Sequence, residues 1–285
     1  MISKRVKKED ITNYLSLHTH SNDTEKVGTI IKSVDDYVRQ LTNGMIGYRL
    51  EESGILQPGA RIYLSILYFK GTWQYGLTPM KERMEFTNIE GKKIFRDYVY
   101  SSMIYIKVSR YMIDPEKLIY VFILPLNDDT KRRHLNRFEA IYIAPTFLVS
   151  NAEEWKEVYT KFIENCTYGE EGNFRMKHDA FENNMIKLIF PKFDQVCEDI
   201  DLNKMFPETY QGGPNPDFAK FVMKVRVKID ENGIEGAAAA EVTYNCGEVY
   251  PEKLVVDKPY IVLIYDRELR QTLFTVKDNG LNVKN

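Results

Sequence analysis

Lys228-Ile-Asp-Glu-Asn-Gly-Ile-Glu-Gly-Ala-Ala-Ala-Ala240 joins an alternating, charged run to a tract with almost no side chains. Upstream, Val222 to Ile229 (VMKVRVKI) alternates apolar and charged residues after its first pair, the period of a strand with one wet face. Downstream, residues 233–240 set two glycines and four alanines around Ile234 and Glu235. Alanine is the best helix former, so a short helix or a plain surface loop is one reading of the tract. The other is a segment whose small side chains let it slide between existing strands. Composition by itself does not choose.

Working outward, residues 25–41 place Val27, Ile30, Ile31, Val34, Val38 and Leu41 at three- and four-residue spacing, with Asn22 and Asp23 as cap candidates and Gly44 as a stop. The spacing predicts an amphipathic helix. Ala60 to Phe69 (ARIYLSILYF) is almost continuously apolar, as a central strand covered on both faces would be. Met84 to Lys107 reads as short strands broken at Asn88 and Gly91, and Lys117 to Pro125 as another buried strand. A second helix is predicted over 152–164, with Asn151 as its cap and Trp155, Val158, Tyr159, Phe162 and Ile163 on one side. Val255 to Tyr265 and Gln271 to Val276 form a hairpin about Asp266-Arg-Glu-Leu269. Mixed elements without repeat, linker or low-complexity tract make a single α+β domain the economical reading.

The 285 residues, 44% of them hydrophobic, suffice for a sizeable core, and 39 Lys and Arg against 41 Asp and Glu leave no single-sign field to attract nucleic acid or anionic lipid. No apolar run reaches the roughly 18 residues needed to span a bilayer, so no membrane partner is expected. The first ten residues carry basic side chains but no apolar stretch behind them, which is not a secretion signal. Cys166, Cys197 and Cys246 are odd in number and far apart, so buried thiols rather than a disulfide framework are expected. Two sequons, Asn22-Asp-Thr24 and Asn165-Cys-Thr167, carry little weight.

Nucleophile elbows, phosphate loops, paired-histidine zinc motifs and Cys-x-x-Cys pairs are all missing, so no cofactor, metal or catalytic residue is expected. His18-Thr-His20 has metal-like spacing but no acidic or thiol partner nearby and reads as a solvated loop. His134 and His178 sit among charged residues and read as surface imidazoles. Cys246 has no histidine close in sequence to activate it.

Six features in chain order resemble the serpin family. Val34-Asp-Asp-Tyr-Val-Arg-Gln-Leu-Thr-Asn-Gly-Met-Ile46 is similar to the helix that lies across that family's main sheet, and Ile66-Leu-Tyr-Phe-Lys-Gly-Thr-Trp73 to the Tyr-Phe-Lys-Gly-x-Trp run ending its central strand. Ile189-Phe-Pro-Lys-Phe193 resembles the Leu-Pro-Lys-Phe strand, with Asp201-Leu202 beyond it. Lys228 to Gly233 leads into the alanine-rich hinge, and Asp257-Lys-Pro-Tyr-Ile-Val-Leu-Ile264 with Thr272-Leu-Phe274 resembles the closing hairpin. The matches are collinear from about residue 24 to 276.

The resemblance implies an α+β, multi-sheet fold with an exposed reactive loop, and a bait rather than an enzyme. A target protease of the serine or cysteine class cuts the loop, and the hinge then inserts as an extra strand and distorts the trapped protease. The hinge would comprise Glu231, Gly233, Ile234, Glu235, Gly236, Ala237, Ala238, Ala239 and Ala240, and at the sheet's opening point Glu231 would pair with Lys192 above Trp73. Counting forward from Gly233 puts the scissile bond after Gly247, and counting back from Lys258-Pro259 puts it after Glu248; the window is Cys246, Gly247, Glu248 and Val249. No Lys or Arg lies between Glu241 and Tyr250, so a trypsin-like protease is a poor match, and Tyr244 is an alternative cut. The family implies an extracellular monomer, while the lack of a signal peptide makes an intracellular setting the alternative.

The sequence also departs from the family pattern. Residues 1–23 read as a divergent segment and 24–285 as one truncated domain lacking the family's N-terminal helices, with Lys204 to Lys220 shortened as well. Ser65 and Met223 stand where the family places an asparagine and a histidine of a polar network, and Ile234 where it has a smaller residue. A serpin-like protein that binds, or is cut without trapping, is therefore the alternative expectation.

Overall fold

The computed structural model describes residues 24–42, 44, 46–47, 62–67, 69, 71–127, 137–170, 173–201, 220–234 and 251–281. In chain order the elements are α1 (Thr24–Leu41), β1 (Ile62–Leu67), β2 (Gly71–Trp73), β3 (Thr78–Pro79), β4 (Met84–Thr87), β5 (Lys93–Arg96), β6 (Tyr98–Asp114), β7 (Lys117–Asn127), β8 (Phe138–Pro145), α2 (Ala152–Cys166), β9 (Thr167–Glu170), β10 (Asn173–Met176), β11 (Glu182–Pro191), β12 (Phe193–Asp201), β13 (Lys220–Ile229), β14 (Gly233–Ile234), β15 (Glu252–Val255), β16 (Tyr260–Asp266) and β17 (Gln271–Asp278). They fall into two compact units, residues 1–68 with 196–226, and residues 69–195 with 227–285.

In the first unit α1 buries Val34 and Val38, and Asp35 pairs with Arg39 one turn on at 2.8 Å. The helix stops as its sequence predicts. Gly44 takes a φ of +80°, its amide donates to the Arg39 carbonyl, and the buried Thr42 hydroxyl donates to the Val38 carbonyl while accepting the Ile46 amide. The cap candidates Asn22 and Asp23 lie outside the described residues. The sheet here has the order β1-β13-β12, with β1 and β13 parallel in register from Ile62 opposite Lys220 to Leu67 opposite Val225. β1 thus has a neighbour on one side among the described residues, where a central strand was expected.

The second unit is a mixed sheet of order β15-β11-β6-β7-β8-β16-β17, antiparallel except where β15 runs parallel to β11. Three features differ from the sequence reading. The expected short strands between Met84 and Lys107 are a β4–β5 hairpin and then the unbroken 17-residue β6, because no Gly, Pro or Asn interrupts Tyr98–Asp114. The strand expected over 255–265 is two strands, since Pro259 lacks an amide for a ladder; β15 joins β11 and β16 joins β8. β8, almost wholly buried, was not predicted at all.

α2 covers one face of this sheet. The Asn151 side chain accepts from the Glu154 amide at 3.0 Å, and the Glu154 carboxylate accepts from the Ser150 amide, a reciprocal cap. Trp155, Val158, Phe162 and Cys166 then follow at helical spacing and pack with Ile119, Val121, Ile141, Ile143, Ile261 and Leu263 from β7, β8 and β16. Burial pushes the Cys166 thiol up to about 11 despite its contact with Tyr111, so it is an inert core residue. The neighbouring sequon is tied into the end of α2: Asn165 Nδ2 donates to the Lys161 carbonyl and Thr167 Oγ1 to the Ile163 carbonyl.

Candidate functional site: the base of the small-residue segment

The small-residue segment follows a turn that the sequence builds from Asp230 to Gly233. Asp230 is buried, and its Oδ1 accepts the Asn232 amide at 2.8 Å, an Asx turn that reverses the chain. Its Oδ2 lies 2.9 Å from Lys228 Nζ. Beyond the turn, β14 pairs antiparallel with β2, Gly233 opposite Thr72 and Ile234 opposite Gly71. Gly71 suits this close approach, because a Cβ on it would meet the Phe69 ring at 3.1 Å and Leu126 at 3.4 Å and these side chains would have to shift.

Trp73 closes β2 and lies beneath this turn. Its ring is 2% exposed, its Nε1 donates to the Asp230 carbonyl at 2.7 Å, and it meets Phe190 edge to face with centroids 6.1 Å apart. Asn127 Nδ2 donates to the Trp73 carbonyl at 2.9 Å, which fixes the backbone from the β7 side.

Lys192 Nζ lies 2.6 Å from Glu231 Oε2, with both side chains half-buried. The lysine starts from a backbone held at both ends: its amide donates to the Asp97 carbonyl at 2.8 Å and its carbonyl accepts Arg96 Nη2 at 2.9 Å. Arg96 itself is clamped by Asp278 at 2.6 Å and stacks over Phe86. Trp73, Lys192 and Glu231 are therefore brought together. Of the hinge residues, Gly233 and Ile234 are in β14, while Glu235, Gly236 and Ala237 to Ala240 lie outside the described residues, as do Tyr244 and the window Cys246 to Val249.

Sequence reasoning missed the second attachment. Where the chain returns in β15, the Tyr120 hydroxyl donates to Glu252 Oε1 at 3.0 Å and Arg110 pairs with Glu252 Oε2. Partial burial pushes the Glu252 carboxyl up, but the bonds from Arg110 and Tyr120 outweigh it and hold the group below its usual range. No local spacing signals this cluster, because Glu252 stands 142 residues from Arg110.

His178 corrects the surface-imidazole reading. It is half-buried with Nε2 3.6 Å from Glu139 Oε2; burial first, then the Arg267 and Lys107 charges, lower it to about 4. His18, His20 and His134 lie outside the described residues. Among the described residues no three His, Cys, Asp or Glu side chains are grouped to hold a metal, and no helix is long and apolar enough to cross a membrane.

A sequence model of the family described as Serpin (serine protease inhibitor) matches residues 8–277. Human Serpin A12 is 24% identical over 282 residues, covering 94% of this chain. The chain spans 62% of that relative's length. Among solved structures, native protease nexin-1 with heparin aligns at a TM-score of 0.63 and 18% identity, covering 88% of this chain and 66% of its own. A highly specific serpin of the insect Tenebrio molitor aligns at 0.61 and 18%, with 90% and 65% covered. These likenesses show a serpin-like fold, mostly strand with a large mixed sheet and few helices. With the family match running from residue 8 to residue 277, the chain belongs to the serpin family.

Proposed function

We propose that the protein is a protease inhibitor of the bait type, in which a serine or cysteine protease cuts the segment after Ile234 and the hinge Glu231 to Ala240 then enters the sheet between β1 and β13. The observation that carries this reading is the parallel pairing of β1 with β13 directly before the turn at Asp230. A chain that reverses after β13 runs antiparallel to β13 and, because β1 is parallel to β13, antiparallel to β1 as well. It can hydrogen-bond on both sides, and alanines and glycines meet little obstruction on entry. Trp73 and the Lys192–Glu231 pair would hold the pivot. With no Lys or Arg between Glu241 and Tyr250, the window Cys246 to Val249 and the alternative cut at Tyr244 favour an acid-, cysteine- or aromatic-preferring protease over a trypsin-like one.

One observation favours a second reading. Ser65 and Met223, the two departures from the family's polar network, are direct register partners in β1 and β13. A sheet that opens differently at that level would yield a protein that is cut without trapping. Incubation with a panel of serine and cysteine proteases separates the readings. Inhibition gives an SDS-stable complex and a cut chain that melts higher than the intact one; clean cleavage at 246–249 with no complex and no gain in melting temperature would overturn it.

A further inference from the structure

Beside the second unit's β16–β17 turn lies a cavity of about 320 Å³ at which Arg175, Arg267 and Arg270 converge. Its size is at the lower end of pockets that take small organic ligands. The turn supplying two of the three arginines is held rigidly. Asp266, 1% exposed, takes both Nε and Nη2 of Arg137 and accepts the Glu268 and Leu269 amides, while the Arg267 amide donates to the Arg137 carbonyl. Arg270 has a φ of +53°, the one positive value outside glycine among the described residues. That left-handed conformation is strained for a non-glycine residue, and Gly or Asn would relieve it.

Among the described residues the positive charge here is poorly compensated. Arg175 and Arg270 make no ion pair among the described residues; Arg175 instead rests over the Tyr168 ring, which Lys177 also approaches at 4.9 Å. Arg267 has, among the described residues, only the buried Glu139, at 3.5 Å, and burial pushes that carboxyl up to about 7, which weakens it as a counter-charge. Glu139 Oε2 and His178 Nδ1 are buried with no hydrogen-bond partner among the described residues, and His178 itself lines the cavity. One carboxylate among the described residues lines the cavity, the exposed Asp179.

We propose that this cavity binds a small phosphorylated molecule, its phosphate gripped by Arg175, Arg267 and Arg270. Arginine forks match phosphate oxygens, and three of them exceed what one carboxylate can use. Near pH 6, where about half of a phosphate monoester keeps one proton, Asp179 distinguishes phosphate from sulfate: the monoprotonated group donates that proton to the carboxylate, whereas sulfate has none and is repelled. The volume exceeds that of a bare anion and leaves room for a sugar-sized remainder.

Isothermal titration of the full chain at pH 6 tests this with inorganic phosphate, pyrophosphate, ribose 5-phosphate and sulfate at constant ionic strength. Ribose 5-phosphate should bind with a Kd below about 1 mM, and Arg175→Gln or Arg270→Gln should each weaken it about tenfold or more, the loss of a charge-assisted contact. Both arginines are exposed or lie at the rim, so each variant should keep the parent's circular dichroism and melting temperature. Inorganic phosphate and pyrophosphate binding within a few-fold of the sugar phosphate would overturn a role for the remainder of the cavity. Sulfate binding as tightly as phosphate, no heat with any phosphate at millimolar concentration, or affinity unchanged in both variants would overturn the site.

Discussion

Replacing Trp73 by phenylalanine isolates the polar share of the grip on the hinge turn. The indole Nε1 donates to the Asp230 carbonyl at 2.7 Å from a side chain 2% exposed, and phenylalanine removes that donor. A buried acceptor stripped of its partner costs about 1–3 kcal/mol, and the smaller ring leaves a void worth about 1 kcal/mol more. The expected loss is therefore about 2–4 kcal/mol. Trp155 supplies the control. It is also buried, at 6% exposed, but its Nε1 has no partner among the described residues. Trp155→Phe makes a similar void and weakens the contact with Lys277 at 4.6 Å, yet it relieves an unsatisfied donor, so the net change should be about 0–1 kcal/mol. Urea unfolding followed by far-ultraviolet circular dichroism is the assay, since each variant loses one of only two tryptophans and fluorescence would not be comparable. If Trp73→Phe proves no more destabilising than Trp155→Phe, the bond to Asp230 does not hold the turn.

Glu139 makes stability depend on pH. Its carboxyl is raised in the folded chain, first by burial, from 4.5 to about 7, so its ionisation opposes folding: the penalty is absent below pH 4.5, grows through the interval and is complete above pH 7, at roughly 3 kcal/mol. His178, lowered to about 4, acts in the opposite sense below pH 6.5, so the test is the difference from the parent: Glu139→Gln should make the slope of unfolding free energy against pH more positive between pH 5 and pH 8, and an unchanged slope would refute the assignment. Asn151→Ala should cost about 1 kcal/mol through loss of the α2 cap, measured by the same unfolding. A double-mutant cycle on Lys192→Ala and Glu231→Ala should give a coupling of about 1 kcal/mol, falling in 1 M salt as befits a half-buried pair; additive effects would show the contact to be incidental.

Where one period ran unbroken, the elements could be read from sequence. Val34 and Val38 repeat at four residues and lie in the buried face of α1, and Asn151 caps α2 through the bond its position foretold. β6 was cut too short because Ser101, Ser102 and Lys107 dilute its apolar signal, and the pairing that keeps it whole comes from β11 and β7 rather than from neighbours in sequence. β8 escaped notice although Ala140-Ile-Tyr-Ile-Ala144 is buried throughout, since a short apolar run that follows a charged stretch of sequence has no period of its own. Family resemblance brought Trp73, Lys192 and Glu231 into one group. It had nothing to offer for Glu139, Arg267 and the Arg110–Glu252 pair, whose partners meet only across the sheet.

β6 has a consequence for synthesis. Tyr98 to Val108 pair with β11, whereas Lys107 to Asp114 pair with β7. The second half is satisfied as soon as the next hairpin leaves the ribosome. The first half waits for Glu182, 74 residues behind Val108. At about 5–20 residues per second that delay is roughly 4–15 s. Through it a nascent chain presents Tyr98-Val-Tyr and Met103-Ile-Tyr-Ile106 as an open edge, which is the interval in which a chaperone, or a neighbouring chain on the same message, competes for the place that β11 will take.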